Sequence, residues 1–344
     1  MQNRRSFLFA VGGSAPLILG AMNKSGSAKP VLGSGAYTYE VTHDWGELPA
    51  DIKYGNTHGV CEDSQGRIYI HHTVNAASES SDSMVVFDEK GKFVKSWGKD
   101  FKSGAHGLHI RKEGSTEFLY LCDTKRGLVV KTTLDGEEVF TLGYPTESEA
   151  YRPSPDGSKK KYSPTNLAIA PNGDIYVGDG YGSSYINVYN KDGKYLRTFG
   201  GPGKEAGQLN CPHGIILDDR GPEPILMIAD RANHRIQTFT LAGEHIAFIA
   251  GTNLPCYFDF CTSGETVVPD LGARVTLLDK NNNVIEHLGD DSAAHNWEEV
   301  RKLDRSAFKP GRFVCPHGSC FDHNGNIFVV EWVEIGRVSK LRRV

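Results

Sequence analysis

Pro164-Thr165-Asn166-Leu167-Ala168-Ile169-Ala170-Pro171-Asn172-Gly173-Asp174-Ile175-Tyr176-Val177 decides the fold. It reads as a short apolar strand, an Asn-Gly turn and a second apolar strand, which is a hairpin pattern. Ile186-Asn187-Val188-Tyr189-Asn190-Lys191-Asp192-Gly193-Lys194-Tyr195-Leu196 supplies a second hairpin of the same kind. Four short strands joined by polar turns make one repeat. The repeat recurs and aligns on the glycine that ends its first turn: Gly66, Gly114, Gly173, Gly221, Gly264 and Gly325. These glycines lie 43 to 61 residues apart, the size of a propeller blade. The expected fold is all-β, a six-bladed β-propeller.

The last repeat shows only three strands before Val344, while Tyr37-Thr38-Tyr39-Glu40-Val41-Thr42 is a spare alternating strand ahead of the first. This N-terminal strand is expected to complete the last blade and close the ring, which removes the exposed edge of an open sheet. Insertions at residues 75–82, 144–162 and 290–311 are expected as loops at the channel mouth. The one helix signal worth noting covers residues 298–303.

The same alignment exposes a candidate site. Eight residues before each turn glycine stand His58, His106, Thr165, His213, Cys256 and His317. First strands line the channel of a propeller, so equivalent positions form a ring. His106, His213 and His317 come from alternate blades and should converge with near-threefold symmetry. Three imidazoles with an open fourth position suit a catalytic zinc ion or another divalent transition metal. A histidine copied structurally into every blade is the competing reading, and Thr165 and Cys256 break such copying. His58 stands in the ring as a fourth ligand, a proton carrier or a packed residue. Cys211 and Cys315 precede two of the histidines by two residues and either flank the metal or pack. His71, His72, His109 and His234 fall elsewhere in the repeat and read as structural or surface residues.

The bulk composition narrows the function classes. The 344 residues carry a formal net charge of −4, which speaks against nucleic acid or an anionic membrane surface as partner. Asn3-Arg4-Arg5-Ser6-Phe7-Leu8, an apolar run to about residue 21 and Gly26-Ser27-Ala28 read as a cleavable twin-arginine signal over residues 1–28. The run is short for a membrane anchor. The expectation is a periplasmic or secreted protein, monomeric, with no membrane attachment after signal removal and one propeller domain over residues 29–344. Seven cysteines with no CxxC pair predict no zinc ribbon and at most one disulfide.

At these residues the chain resembles NHL-repeat propellers and, more narrowly, the peptidyl-α-hydroxyglycine α-amidating lyase family, over about residues 35–344. The resemblance implies zinc on His106 in Gly104-Ala105-His106-Gly107-Leu108, His213 in Cys211-Pro212-His213-Gly214 and His317 in Cys315-Pro316-His317-Gly318. It implies a catalytic tyrosine at Tyr181, in Gly178-Asp179-Gly180-Tyr181, and an arginine at Arg231, in Ala229-Asp230-Arg231. The implied chemistry is cleavage of the C–N bond of a carbinolamide, with the metal as Lewis acid and a tyrosinate as base. The substrate would be a small molecule or peptide-like. Departures surround this centre. His58 holds the blade 1 channel position, where the resemblance implies a second arginine. Gly318 replaces an aspartate of a structural calcium site whose carbonyl partner corresponds to Leu108, which speaks against calcium. Cys315 replaces a methionine. The competing functions are a non-catalytic propeller presenting a face to a protein partner and a metal-dependent hydrolase or lactonase. The latter family's sites use carboxylate and asparagine ligands, which this ring lacks.

Overall fold

The computed structural model describes residues 29–294 and 296–344. The signal segment expected over residues 1–28 lies outside them. Six antiparallel sheets follow one another along the chain. Their innermost strands are Thr57–Glu62, Ala105–Glu113, Asn166–Ile169, Pro212–Asp218, Asp259–Phe260 and Pro316–Phe321. The six-bladed propeller is therefore as expected. Among the described residues no helix is long and apolar enough to cross a membrane.

Ring closure also follows the expectation. Tyr39–His43 pairs antiparallel with Arg337–Arg343, in the register Val41 opposite Leu341. The strand starts two residues later than its alternation suggested, because Gly35–Tyr37 turns as a short 3-10 segment. Val31–Leu32 adds an outer fifth strand that the sequence reading did not anticipate. Tyr39 and Val41 are buried with Val267, Val275 and Leu277 of blade 5 and Val329 of blade 6. Burying each such side chain contributes about 1.5–3 kcal/mol, so the closing strand is held by core packing as well as by its ladder.

The rest of the core also sits between blades. Ala168, Tyr176 and Val188 of blade 3 pack on Ile215, Leu226, Ile228 and Phe239 of blade 4. Each blade therefore depends on its neighbours for a hydrophobic face. All seven cysteines are free. The long insertions leave from the strand ends that carry the ring residues, and the last holds one α-helical turn at Trp297–Val300 between short 3-10 segments at Ser292–Ala294 and Arg305–Ala307.

Candidate metal centre

The ring histidines are aimed by a backbone irregularity. The innermost ladder of blade 1 shifts register between Thr57 and Gly59, that of blade 2 between Ala105 and Leu108, that of blade 4 between Pro212 and Ile215, and that of blade 6 between Pro316 and Gly318. His58, His106, His213 and His317 sit in these four bulges. A bulge turns one side chain out of the pleat, here into the channel. The rings of His106, His213 and His317 lie with centroids 4.7–4.8 Å apart. His58 lies 4.7 Å from His106 and 4.5 Å from His317.

Each member of the expected triad is oriented by the next blade. His106 Nδ1 lies 2.7 Å from the Thr165 carbonyl, His213 Nδ1 2.8 Å from that of Cys256, and His317 Nδ1 2.9 Å from that of His58. The ring positions of the three intervening blades thus act through their carbonyls. A carbonyl only accepts, so each Nδ1 carries the proton and each Nε2 presents a lone pair. Such outer partners are what metal-ligating histidines require. His58 differs, because its Nδ1 faces His317 Nε2 at 3.3 Å.

This arrangement also explains the glycine after each histidine. A Cβ at Gly107, Gly214 or Gly318 would stand 2.5, 2.6 or 2.5 Å from those same carbonyls of Thr165, Cys256 and His58. Only glycine lets the neighbouring backbone come close enough to accept from the imidazole. It also leaves no room for a carboxylate side chain at 318. Gly214→Ala should push blade 5 away and lengthen the His213 bond. The expected cost is about 1–3 kcal/mol of stability, read as a lowered unfolding midpoint; an unchanged or raised midpoint would contradict the close approach.

Tyr181 and Arg231 complete the cluster. The Tyr181 hydroxyl lies 3.2 Å from His106 Nε2 and 3.1 Å from His213 Nε2. Arg231 Nη1 donates to the same oxygen at 3.3 Å, with its guanidinium 5.2 Å from the ring centroid. Burial raises the Tyr181 phenol, and the Arg231 charge opposes it with a smaller effect. Arg231 alone therefore does not make Tyr181 a phenolate. Burial pushes His317 down to about 3 and holds His58, His106 and His213 well below the ordinary imidazole range.

These neutral imidazoles leave a donor shortage. His58 Nδ1 can donate to the His317 Nε2, but the Tyr181 hydroxyl has one proton for the two lone pairs of His106 and His213 that it touches. Buried lone pairs without donors are costly, and a cation satisfies them together. The ligand atoms of His58, His106 and His317 lie within 4.8 Å of one another, as do those of His213, Cys256 and His317. Each group holds two of the expected triad and adds one neighbour, His58 beside His106 and His317 or Cys256 beside His213 and His317, and neither brings His106 and His213 together. Cys211 lies beside Arg231 instead, and holds an unfavourable φ of 60°. Cys315 is buried with Val314 and Val333 under the last insertion.

Two supporting features escaped the sequence reading. A buried carboxylate closes the second strand of five blades: Asp123, Asp179, Asp230, Asp270 and Glu331. Asp230 accepts from the Asn210 amide at 2.7 Å and Glu331 from the Val314 amide at 2.7 Å, just ahead of His213 and His317. Asp230 is balanced by Arg235 and Glu331 by Arg337. The second feature is Arg301, carried in by the last insertion. It donates to Asn56 at 2.8 Å and lies 3.5 Å over the Trp332 ring, where its charge reaches His58. Of the remaining histidines, His71 and His72 are fully buried, His109 is half-buried and His234 is exposed.

Comparison with known proteins finds relatives among the amidating lyases. A peptidyl-α-hydroxyglycine α-amidating lyase of Drosophila melanogaster is 30% identical over 235 residues, covering 59% of this chain and 40% of the relative. A second lyase from the same fly is 27% identical over 320 residues, covering 85% of this chain and 71% of the relative. The chain is a six-bladed propeller that resembles the amidating lyases. Peptidyl-glycine α-amidating monooxygenase B of Xenopus laevis is 27% identical over 224 residues, which is 24% of its length. The chain thus spans well under half of two of these three relatives. No family model matches it. Among solved structures, a gluconolactonase from Xanthomonas campestris superposes with a TM-score of 0.60 at 13% identity, covering 91% of this chain and 95% of that one. A streptogramin B lyase superposes with a TM-score of 0.58 at 14% identity, covering 90% and 99%. At such identities these two show the fold alone.

Proposed function

We propose that this chain is an exported, metal-dependent lyase that cleaves the C–N bond of an α-hydroxyglycine-like carbinolamide. The observation that carries the reading is the meeting of two oriented imidazole lone pairs, those of His106 and His213, on a hydroxyl that Arg231 also contacts, with the His317 ring packed beside both. Similarity to the amidating lyases supports the reaction class.

His106, His213 and His317 would hold the ion, and neutral nitrogen donors suit zinc. When bound, it would supply Lewis acidity to the substrate hydroxyl and lower the cost of an adjacent phenolate. Tyr181 is the base. Its oxygen takes the proton of the carbinol hydroxyl, and Arg231 Nη1–H steadies the negative charge that the phenol carries beforehand. The carbinol oxygen becomes a carbonyl as the C–N bond breaks. The departing amide nitrogen needs one proton, which is the one that Tyr181 has taken. Substrate therefore divides into a primary amide and glyoxylate with atoms and protons balanced. His58 holds His317 through its carbonyl and fills the wall of the site beside it.

The test is direct. Purified protein incubated with a peptide ending in α-hydroxyglycine should release amide and glyoxylate, and a chelator should abolish the release. Protein carrying a full complement of metal that leaves this peptide intact would overturn the proposed reaction.

A further inference from the structure

We infer that Cys256 is a metal ligand, so that the ion sits in a mixed imidazole and thiolate set with His213 and His317. The inference rests on the reading of the ring as a metal centre and adds the chemistry of its fifth blade. Cys256 occupies the ring position of that blade, which has no histidine. It is fully buried, and its Sγ groups with the ligand nitrogens of His213 and His317 within 4.8 Å. The backbone fixes it from both sides. Its amide donates to Pro269 at 2.9 Å, and its carbonyl receives His213 Nδ1 at 2.8 Å. The residue that orients His213 thus also brings a sulfur to the same place.

The thiol has no strong competing partner. Its nearest acceptor is the Leu254 carbonyl at 3.5 Å, a weak contact for S–H. Without an ion, burial pushes the Cys256 thiol up to about 12, and the Arg231 guanidinium beside it opposes that rise only in part. A coordinating thiol gives up its proton outright, so binding releases one proton to solvent and leaves sulfur bonded to the ion. The consequence is a shift in selectivity. An all-imidazole site takes borderline metals, whereas thiolate favours softer ones and lowers the net charge of the centre. Cys211 is the other sulfur beside Arg231, and it stands outside both ligand sets.

Cobalt(II) loaded into the purified full chain reads the ligands without reference to turnover. Wild type should show visible ligand-field bands together with a near-ultraviolet thiolate-to-cobalt charge-transfer band. Cys256→Ser should lose the second and bind metal roughly 100-fold more weakly, the upper end of what even outer partners cost. Cys211→Ser should keep the band. X-ray absorption of the wild-type zinc form gives the same answer should Cys256→Ser fail to fold. It should show one sulfur at about 2.3 Å beside nitrogens at about 2.0–2.1 Å. Ligand-field bands without charge transfer, or nitrogen and oxygen neighbours only, would overturn the thiolate ligand while leaving the histidine centre intact. Failure to bind cobalt or zinc at all would overturn both.

Discussion

Tyr181→Phe is expected to keep the metal and lose turnover by about 10²–10⁴-fold, the usual worth of a positioned base. The substitution removes one oxygen and leaves the three histidines with their carbonyl partners at Thr165, Cys256 and His58. Metal content should therefore stay at the wild-type level while kcat falls and KM changes little, the pattern of an interaction made in the transition state. The structure gives the reason why this hydroxyl matters. Among the described residues it is the one side-chain oxygen that reaches both His106 and His213 and also meets Arg231. Wild-type kcat in Tyr181→Phe would remove the tyrosine from the chemistry and leave it a packing role.

Mild acid should unfold the protein as its buried histidines are forced to take up protons. Burial pushes His43 and His109 down to about 4 and His72 to about 3. His72 is fully buried, and its Nδ1 accepts from the Val74 amide at 3.1 Å. His43 Nε2 accepts from the Gly311 amide at 3.0 Å. A proton on either acceptor nitrogen would end that bond. Unfolded histidine titrates near pH 6.5, so these groups bind protons more readily once the chain unfolds. The sign follows: their contribution is complete above about pH 6.5 and is lost as pH falls towards 4. A fully buried group such as His72 changes stability by about 1.4 kcal/mol per pH unit in that interval, and the partly buried His43 and His109 add smaller amounts, for a few kcal/mol in all. This compares with a typical total of about 5–15 kcal/mol. Circular dichroism against pH should show cooperative unfolding between about pH 4 and 5.5. A protein that stays folded to pH 3 would contradict neutral burial of these imidazoles.

The propeller was legible because each blade repeats one hairpin with one glycine at a fixed place. The ring was legible for the same reason, since His58, His106, His213 and His317 keep a constant offset from that glycine. The buried carboxylates were not, because their offset changes. Asp179, Asp270 and Glu331 follow the turn glycine by six residues, whereas Asp123 and Asp230 follow it by nine. Longer first hairpins in blades 2 and 4 break the alignment that found the ring. Carbonyl acceptors leave no trace in side-chain identity, so the parts played by Thr165 and Cys256 in holding the histidines could not be read. Only the glycine after each histidine hinted at them. Cys256 stood out in the sequence as an exception to the histidine pattern, and proximity to His213 and His317 is what makes it a donor. Arg301 comes from a 22-residue insertion with no repeat to place it, counted over residues 290–311.

The central claim is that the channel ring binds one transition metal through histidines from alternate blades. Elemental analysis of the purified chain beside the double variant His106→Ala/His213→Ala tests it most directly. The expected result is one transition metal per wild-type chain and none in the variant, with both proteins showing the same far-ultraviolet circular dichroism. Equal metal in the two proteins, or none in wild type after zinc loading and desalting, would contradict it.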